Sequence, residues 1–305
     1  MAAAHHDHHE GQRVSRRRLI AGIGSVGLAG LLAACGRDSG SVTTSTGETV
    51  SPQATTAKDL TALFADANTC RLTADTTQGP YYFDADKIRS DIREDRAGTR
   101  LRLAIRVQDS EKCGPLSNAV VEIWHCDAAG LYSGAEAQSS GGGGAPGGAP
   151  PSGVPGGAPP SGAPGGARPG SPPAGGGAPG GGNGELADLT PTDDKRYLRG
   201  AQVTNADGIV EFTTVWPGWY RGRTVHVHAM VHIGTDRVLT TQLMFDEALN
   251  SKVFAAQPYA AHTGRDTFND NDNIYDASML LKVTEDGDGH LGVINFGVDA
   301  DRDGQ

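Results

Sequence analysis

Arg100-Leu101-Arg102-Leu103-Ala104-Ile105-Arg106-Val107 alternates charged or small residues with aliphatic ones. A period of two is the signature of a half-buried strand, here with Leu101, Leu103, Ile105 and Val107 on the inward face. Working outward, Ala119–His125 is apolar enough for a central strand. Leu198–Thr204 and Ile209–Val215 flank the turn signal Asn205-Ala206-Asp207-Gly208. Val225–Ile233 and Val238–Phe245 flank Gly234-Thr235-Asp236-Arg237, and Met279–Glu285 and His290–Phe296 flank Asp286-Gly287-Asp288-Gly289. About eight short strands joined by turns of this kind predict an all-β fold, a single-domain antiparallel β-sandwich with long loops. Short helices are expected near Lys58–Ala67 and around Phe245–Phe254.

Composition says where that core lies. The chain has 305 residues, with 44 Gly and 17 Pro. Every aromatic residue falls in 60–134 or 185–305. Residues 139–184 are almost entirely Gly, Pro, Ala and Ser, with a nine-residue repeat visible as Gly147–Pro155 and Gly156–Pro164. Such a segment cannot bury enough apolar area to offset the entropy of ordering it, so it reads as a disordered Gly/Pro-rich insertion. Loop closure costs grow only logarithmically, so a sandwich can carry it. There is no strict Gly-X-Y period, which excludes collagen. The net charge is −10, and the first 35 residues are themselves net positive. The remainder is therefore more acidic still, which excludes a nucleic-acid partner bound through phosphates.

The N-terminus reads as an address. Ser15-Arg16-Arg17-Arg18-Leu19-Ile20 is a twin-arginine pattern, and the apolar run Leu19–Ala34 is too short to span a bilayer comfortably. Leu32-Ala33-Ala34-Cys35 resembles a bacterial lipoprotein cleavage box, with Cys35 as the lipidated residue. His5, His6, His8 and His9 lie upstream of the cut and would be discarded. The organisation is then signal 1–35, flexible tether 36–57, sandwich domain 58–298 interrupted by 139–184, and tail 299–305. The protein is expected to be exported, either lipid-anchored on the outer side of the bacterial cytoplasmic membrane or secreted. Cys70, Cys113 and Cys126 remain for an oxidising compartment, enough for one disulfide and one thiol. Cys113 and Cys126 sit at opposite ends of a predicted strand, which leaves Cys70 with either partner.

Chemistry concentrates near His226-Val227-His228. On a strand both imidazoles point to one face, roughly 7 Å apart at Cα. Trp216-Pro217-Gly218-Trp219-Tyr220 turns just before them and aims Tyr220 back toward that strand. A second tyrosine, Tyr132, follows Asp127-Ala128-Ala129-Gly130 after the strand Ala119–His125. Two phenolates and two imidazoles suit a hard, strongly Lewis-acidic ion such as Fe(III), since a free phenol has a pKa near 10. Asp266–Asp272 has part of a calcium-loop pattern but lacks its Gly and terminal Glu, and reads as a polar loop.

At this point the chain resembles the intradiol ring-cleavage dioxygenases, the family of protocatechuate 3,4-dioxygenase and catechol 1,2-dioxygenase. The resemblance covers about 70–134 and 197–298. It is carried by Thr76-Thr77-Gln78-Gly79-Pro80-Tyr81-Tyr82, by Val121-Glu122-Ile123-Trp124-His125-Cys126-Asp127-Ala128-Ala129-Gly130-Leu131-Tyr132, by Pro217-Gly218-Trp219-Tyr220, by Arg223-Thr224-Val225-His226-Val227-His228 and by Thr241-Gln242-Leu243-Met244-Phe245. It implies one Fe(III) per chain, held by Tyr132, Tyr220, His226 and His228, with Tyr220 displaceable and acting as base. It implies that Arg223 stabilises charge on the ring, that Gln242 orients groups nearby, and that Tyr81 and Tyr82 contact substrate. The implied partners are a catechol-type substrate and O₂, and the product a cis,cis-muconate-type diacid. Two features depart from the family: the insertion after Tyr132, and the missing helical N-terminal dimerisation region. The residues neither require nor exclude an oligomer. The competing class is a transthyretin-like or other metal-binding β-sandwich lipoprotein without dioxygenase activity. Copper–zinc superoxide dismutase also carries a His-X-His strand, but His125, His226, His228, His232, His262 and His290 lack its spacing. Neither alternative accounts for Tyr132, Pro217–Tyr220 and Arg223 together.

Overall fold

The computed structural model of the chain describes residues 42–43, 49–50, 60–64, 70–85, 87–140 and 187–301. Cys35 and the rest of the signal lie outside them, as does the insertion from residue 141 onward. Within the stretch read as a tether, β1 (Val42–Thr43) and β2 (Thr49–Val50) pair as a two-residue antiparallel ladder.

The alternating stretch is β3 (Arg100–Asp109), and it behaves as its period demands: Leu101, Leu103, Ile105 and Val107 are all fully buried. Each such side chain contributes roughly 1.5–3 kcal/mol by leaving water. β3 belongs to a four-stranded sheet of order β6-β3-β10-β9, with β6 (Ile209–Val215), β9 (Lys282–Asp286) and β10 (Gly289–Val298). The second sheet has order β5-β4-β7-β8, from β4 (Val120–Trp124), β5 (Arg199–Val203), β7 (His226–Ile233) and β8 (Asp236–Met244). Val121 and Ile123 of β4 and Val227, Ala229 and Val231 of β7 meet the β3 aliphatics, Phe212 and Phe296 in one core between the sheets. The all-β sandwich is therefore the observed architecture.

Two features differ from the expected pattern. The sandwich is not wholly antiparallel: β10 runs parallel to β3, with Ile294 opposite Ile105. The turn at Asn205–Gly208 also does not close a hairpin. Asn205 Oδ1 accepts from the Asp207 and Ile209 amides, so the reversal forms as its residues dictate. Yet β5 pairs with β4 and β6 pairs with β3, so the chain crosses there from one sheet to the other. Thr204 anchors the crossing, its Oγ1 donating to the Leu116 carbonyl while accepting from the Ala119 amide. Turn chemistry specifies a reversal; which neighbour each strand finds is set by packing. The other two hairpins form, β7–β8 and β9–β10.

Each sheet also covers its outer face. Leu60 and Phe64, around the 3-10 turn Thr61–Phe64, pack on Ala104, Ile209, Leu291 and Val293. The outer face of the other sheet carries a second cluster, Tyr81, Tyr82, Trp124, Cys126, Tyr132, Ala135 and Met230. The helix Glu247–Phe254 begins at Asp246, whose carboxylate accepts from the Ala248 and Leu249 amides. Cys70 is bonded to Cys113, with 4.9 Å between Cα atoms, and Cys126 is a buried free thiol.

Candidate metal centre

The site stands on the outer face of the β5-β4-β7-β8 sheet. Register places Arg199 opposite Trp124, Trp124 opposite His228, and His228 opposite Gln242, so these four side chains form one row on one face. His226, two residues before His228, shares that face because β side chains alternate. The opposite parity, Val227 and Ala229, goes to the core between the sheets.

Tyr132 and Tyr220 arrive over this face on two loops that touch backbone to backbone. A Cβ at Gly218 would stand 2.3 Å from the Asp127 carbonyl oxygen, so only glycine permits the approach. The Gly218 amide donates to that same carbonyl. Asp127 Oδ1 shapes the loop further by accepting from the Ala129 and Leu131 amides. The outcome is a Tyr132–Tyr220 ring pair at 5.8 Å between centroids, with Tyr132 also 6.4 Å from the His228 ring.

The donor atoms converge. Tyr220 Oη lies 3.1 Å from His226 Nε2, and His226 Nε2 lies 3.1 Å from His228 Nε2. His226 Nδ1 is 2.6 Å from the Thr224 carbonyl, which can only accept, so Nδ1 carries the proton and Nε2 presents its lone pair to the cluster. Burial drives both imidazoles toward the neutral form. It pushes His226 down to about 3, helped by the nearby Arg223 charge, and holds His228 well below its ordinary value. Burial also raises both phenols, Tyr132 furthest. His228 Nδ1 is buried without a hydrogen-bond partner among the described residues.

This donor set fits Fe(III). Among the described residues no group of three or more His, Cys, Asp and Glu side chains is placed to hold a metal. The groups gathered here are instead two neutral imidazoles and two tyrosines, with Tyr220 Oη, His226 Nε2 and His228 Nε2 in mutual reach and the Tyr132 ring beside them. Phenols this reluctant to ionise bind only a strong Lewis acid, which favours a trivalent ion over zinc or calcium.

Arg223 borders the cluster. Its Nη2 donates to Gln242 Oε1 at 2.6 Å and its Nε to Asp272 Oδ2 at 2.9 Å. Tyr81 is brought in as well, stacked on Tyr132 at 4.7 Å and edge-on to Tyr220 at 6.3 Å. Tyr82 is not; it lies behind Trp124 at 4.7 Å, its hydroxyl toward Glu122 Oε2. The structure adds residues that sequence reasoning passed over. Asp272, inside the polar loop, also accepts from the Thr224 amide at 2.7 Å. Arg199 is fully buried and donates to the Tyr81 and Ser133 carbonyls, tying together the two segments that carry Tyr81 and Tyr132. An arginine beginning a predicted strand gave no local signal of that role.

No protein-family model and no curated sequence matches the chain. Solved structures do match. The structure of a dioxygenase and that of an intradiol ring-cleavage dioxygenase from Tetranychus urticae are each similar over 76% of this chain, at 26% identity and a TM-score of 0.58. The similarity covers 95% and 96% of those proteins. The dioxygenase domain of a dioxygenase–carbohydrate-binding fusion from Streptomyces sp. SirexAA-E is more distant, at 22% identity and a TM-score of 0.47, over 75% of this chain and 99% of that one. The likeness takes in nearly the whole of the first two proteins, and it makes this chain similar to an intradiol ring-cleavage dioxygenase, an oxidoreductase.

Proposed function

We propose that the protein is a non-haem Fe(III) dioxygenase that cleaves a catechol-type diol between its two hydroxylated carbons, inserting both atoms of O₂ to give a cis,cis-muconate-type diacid. The observation that carries this reading is the convergence of Tyr220 Oη, His226 Nε2 and His228 Nε2 at 3.1 Å contacts beside the buried Tyr132. Tyr132, Tyr220, His226 and His228 would hold one ion. Bound there, Fe(III) would supply Lewis acidity that favours the deprotonated diol.

The chain's own residues supply the rest. Tyr220 is only partly buried whereas Tyr132 is fully buried, so Tyr220 is the phenol positioned to take a substrate proton. Burial favours its protonated form, which makes Tyr220 Oη a ready proton acceptor once ionised. Arg223 is held on two sides by Asp272 and Gln242, so its guanidinium is oriented before charge develops on the ring. Tyr81 walls the site beside Tyr132 and keeps water from that side. No external reductant enters, because the diol's two ring electrons and the cleaved carbon–carbon bond supply the four electrons that O₂ takes.

The test is purified, iron-loaded protein with catechol and O₂ alone. Stoichiometric O₂ uptake with both labelled oxygens in an unsaturated diacid supports the reading. A yellow semialdehyde, or a requirement for NADH, overturns it. We further propose export with a lipid anchor on Cys35; the Cys70–Cys113 disulfide supports an oxidising compartment.

A further inference from the structure

His226 and His228 stand side by side on β7, yet different physics orients them. His226 has a hydrogen bond from Nδ1 to the Thr224 carbonyl. His228 has none: its Nδ1 is buried and without a partner among the described residues. Imidazoles that bind metals ordinarily use the distal nitrogen to fix ring orientation. Something else must hold the His228 ring.

Two contacts do. The Trp124 indole lies flat against the imidazole, 5.0 Å between centroids and 3° from parallel. Trp124 makes no hydrogen bond through its own buried Nε1, so what it offers His228 is its face. Gly79 closes on another side of the ring. A Cβ built there would stand 2.9 Å from His228 Cε1 and 3.3 Å from Nε2, inside ordinary contact distance. Gly79 also has φ +71, in the left-handed region that glycine favours. The segment Thr76–Tyr82 therefore does more than border the cleft, since its glycine reaches the ring edge that faces the other donors. Thr76 anchors that segment to β8 through its amide and the Thr240 carbonyl.

We infer that Gly79 and Trp124 are the positioning residues of His228, a steric vise that takes the place of the missing hydrogen bond. The inference rests on His228 being a metal ligand. It predicts that filling the space at Gly79 displaces Nε2 and weakens metal binding, whether or not the enzyme turns over.

Fe(III) affinity of metal-free full chain, measured by competition with nitrilotriacetate, tests it. Gly79→Ala should weaken binding at least about tenfold, the usual effect of losing an orienting neighbour. Gly234→Ala is the control for backbone strain: Gly234 has φ +58 with nothing within 4 Å of its would-be Cβ, so affinity should stay within about twofold. Trp124→Leu should weaken binding similarly, and Trp124→Phe, which restores a flat ring, should recover most of it. Wild-type affinity in both Gly79→Ala and Trp124→Leu overturns the inference. His228→Ala separates the two levels. If it binds Fe(III) like wild type, the ligand assignment itself falls and takes the vise with it. If it loses iron while Gly79→Ala and Trp124→Leu do not, only the vise is wrong.

Discussion

Replacing Asp272 with Ala should damage stability and catalysis together while leaving the iron in place. The Asp272 side chain is fully buried, and Oδ2 accepts from Arg223 Nε and the Thr224 amide. Oδ1 accepts from the Ile274 amide. Removing one member of a buried ion pair costs about 3–5 kcal/mol, because the remaining charge loses its partner. Arg223 is 14% exposed and keeps its bond to Gln242, which argues for the low end, about 3 kcal/mol. For a domain of this size each kcal/mol moves Tm by about 2–4 °C, so Tm should fall by about 6–12 °C. The pH dependence carries a sign. Burial raises the Asp272 carboxyl, but the Arg223 charge and the amide bonds more than offset this and leave it below its ordinary value. A depressed carboxyl stabilises the fold above its unfolded pKa, about 3.9, and loses that contribution as pH falls through the folded value. The gap between wild type and Asp272→Ala should therefore be full at neutral pH and close in acid. Turnover should drop by about tenfold or more as Arg223 loses its anchor, with iron content unchanged. Thermal melts at pH 7 and pH 3, iron analysis and steady-state rates form the assay. A fall in Tm below about 2 °C at pH 7, or a penalty undiminished at pH 3, would falsify the reasoning.

Cys70 and Cys113 close a loop across a sequence separation of 43, so Cys113→Ser should cost about 4 kcal/mol by the loop-entropy relation, measured by urea unfolding; an unchanged midpoint would show that the bond does not constrain the chain. Fe(III) binding at pH 7 should release about two protons, because burial keeps both phenols protonated and both imidazoles neutral beforehand; a pH-stat titration checks this, and Tyr132→Phe should remove about one. Cys35→Ser should release the protein from membranes or block its processing, and an unprocessed cytosolic wild type in cell fractions would contradict the anchor.

What the sequence by itself determined was local. Alternation in Arg100–Val107 assigned a strand and its buried face, because a period of two admits no other regular structure. The same parity put His226 and His228 on one face before any neighbour was known. Pro217–Tyr220 and the motif around Trp124 named the tyrosines through family resemblance. Tertiary structure decided what each local piece meets. Asn205–Gly208 makes the expected reversal, yet packing sends β5 and β6 into different sheets. Cys70 found Cys113 rather than Cys126 because the Cys126 side chain points into the cluster beneath Tyr132. Asp272 and Arg199 carried no motif, since what gives each its role is a partner segment tens of residues away: Arg223 for one, Tyr81 and Ser133 for the other. Tyr81 and Tyr82 are adjacent in sequence, but the fold packs one against the donor cluster and the other behind Trp124. Face is encoded by spacing along one strand; partnership depends on which surfaces bury each other, and only the folded chain brings those together.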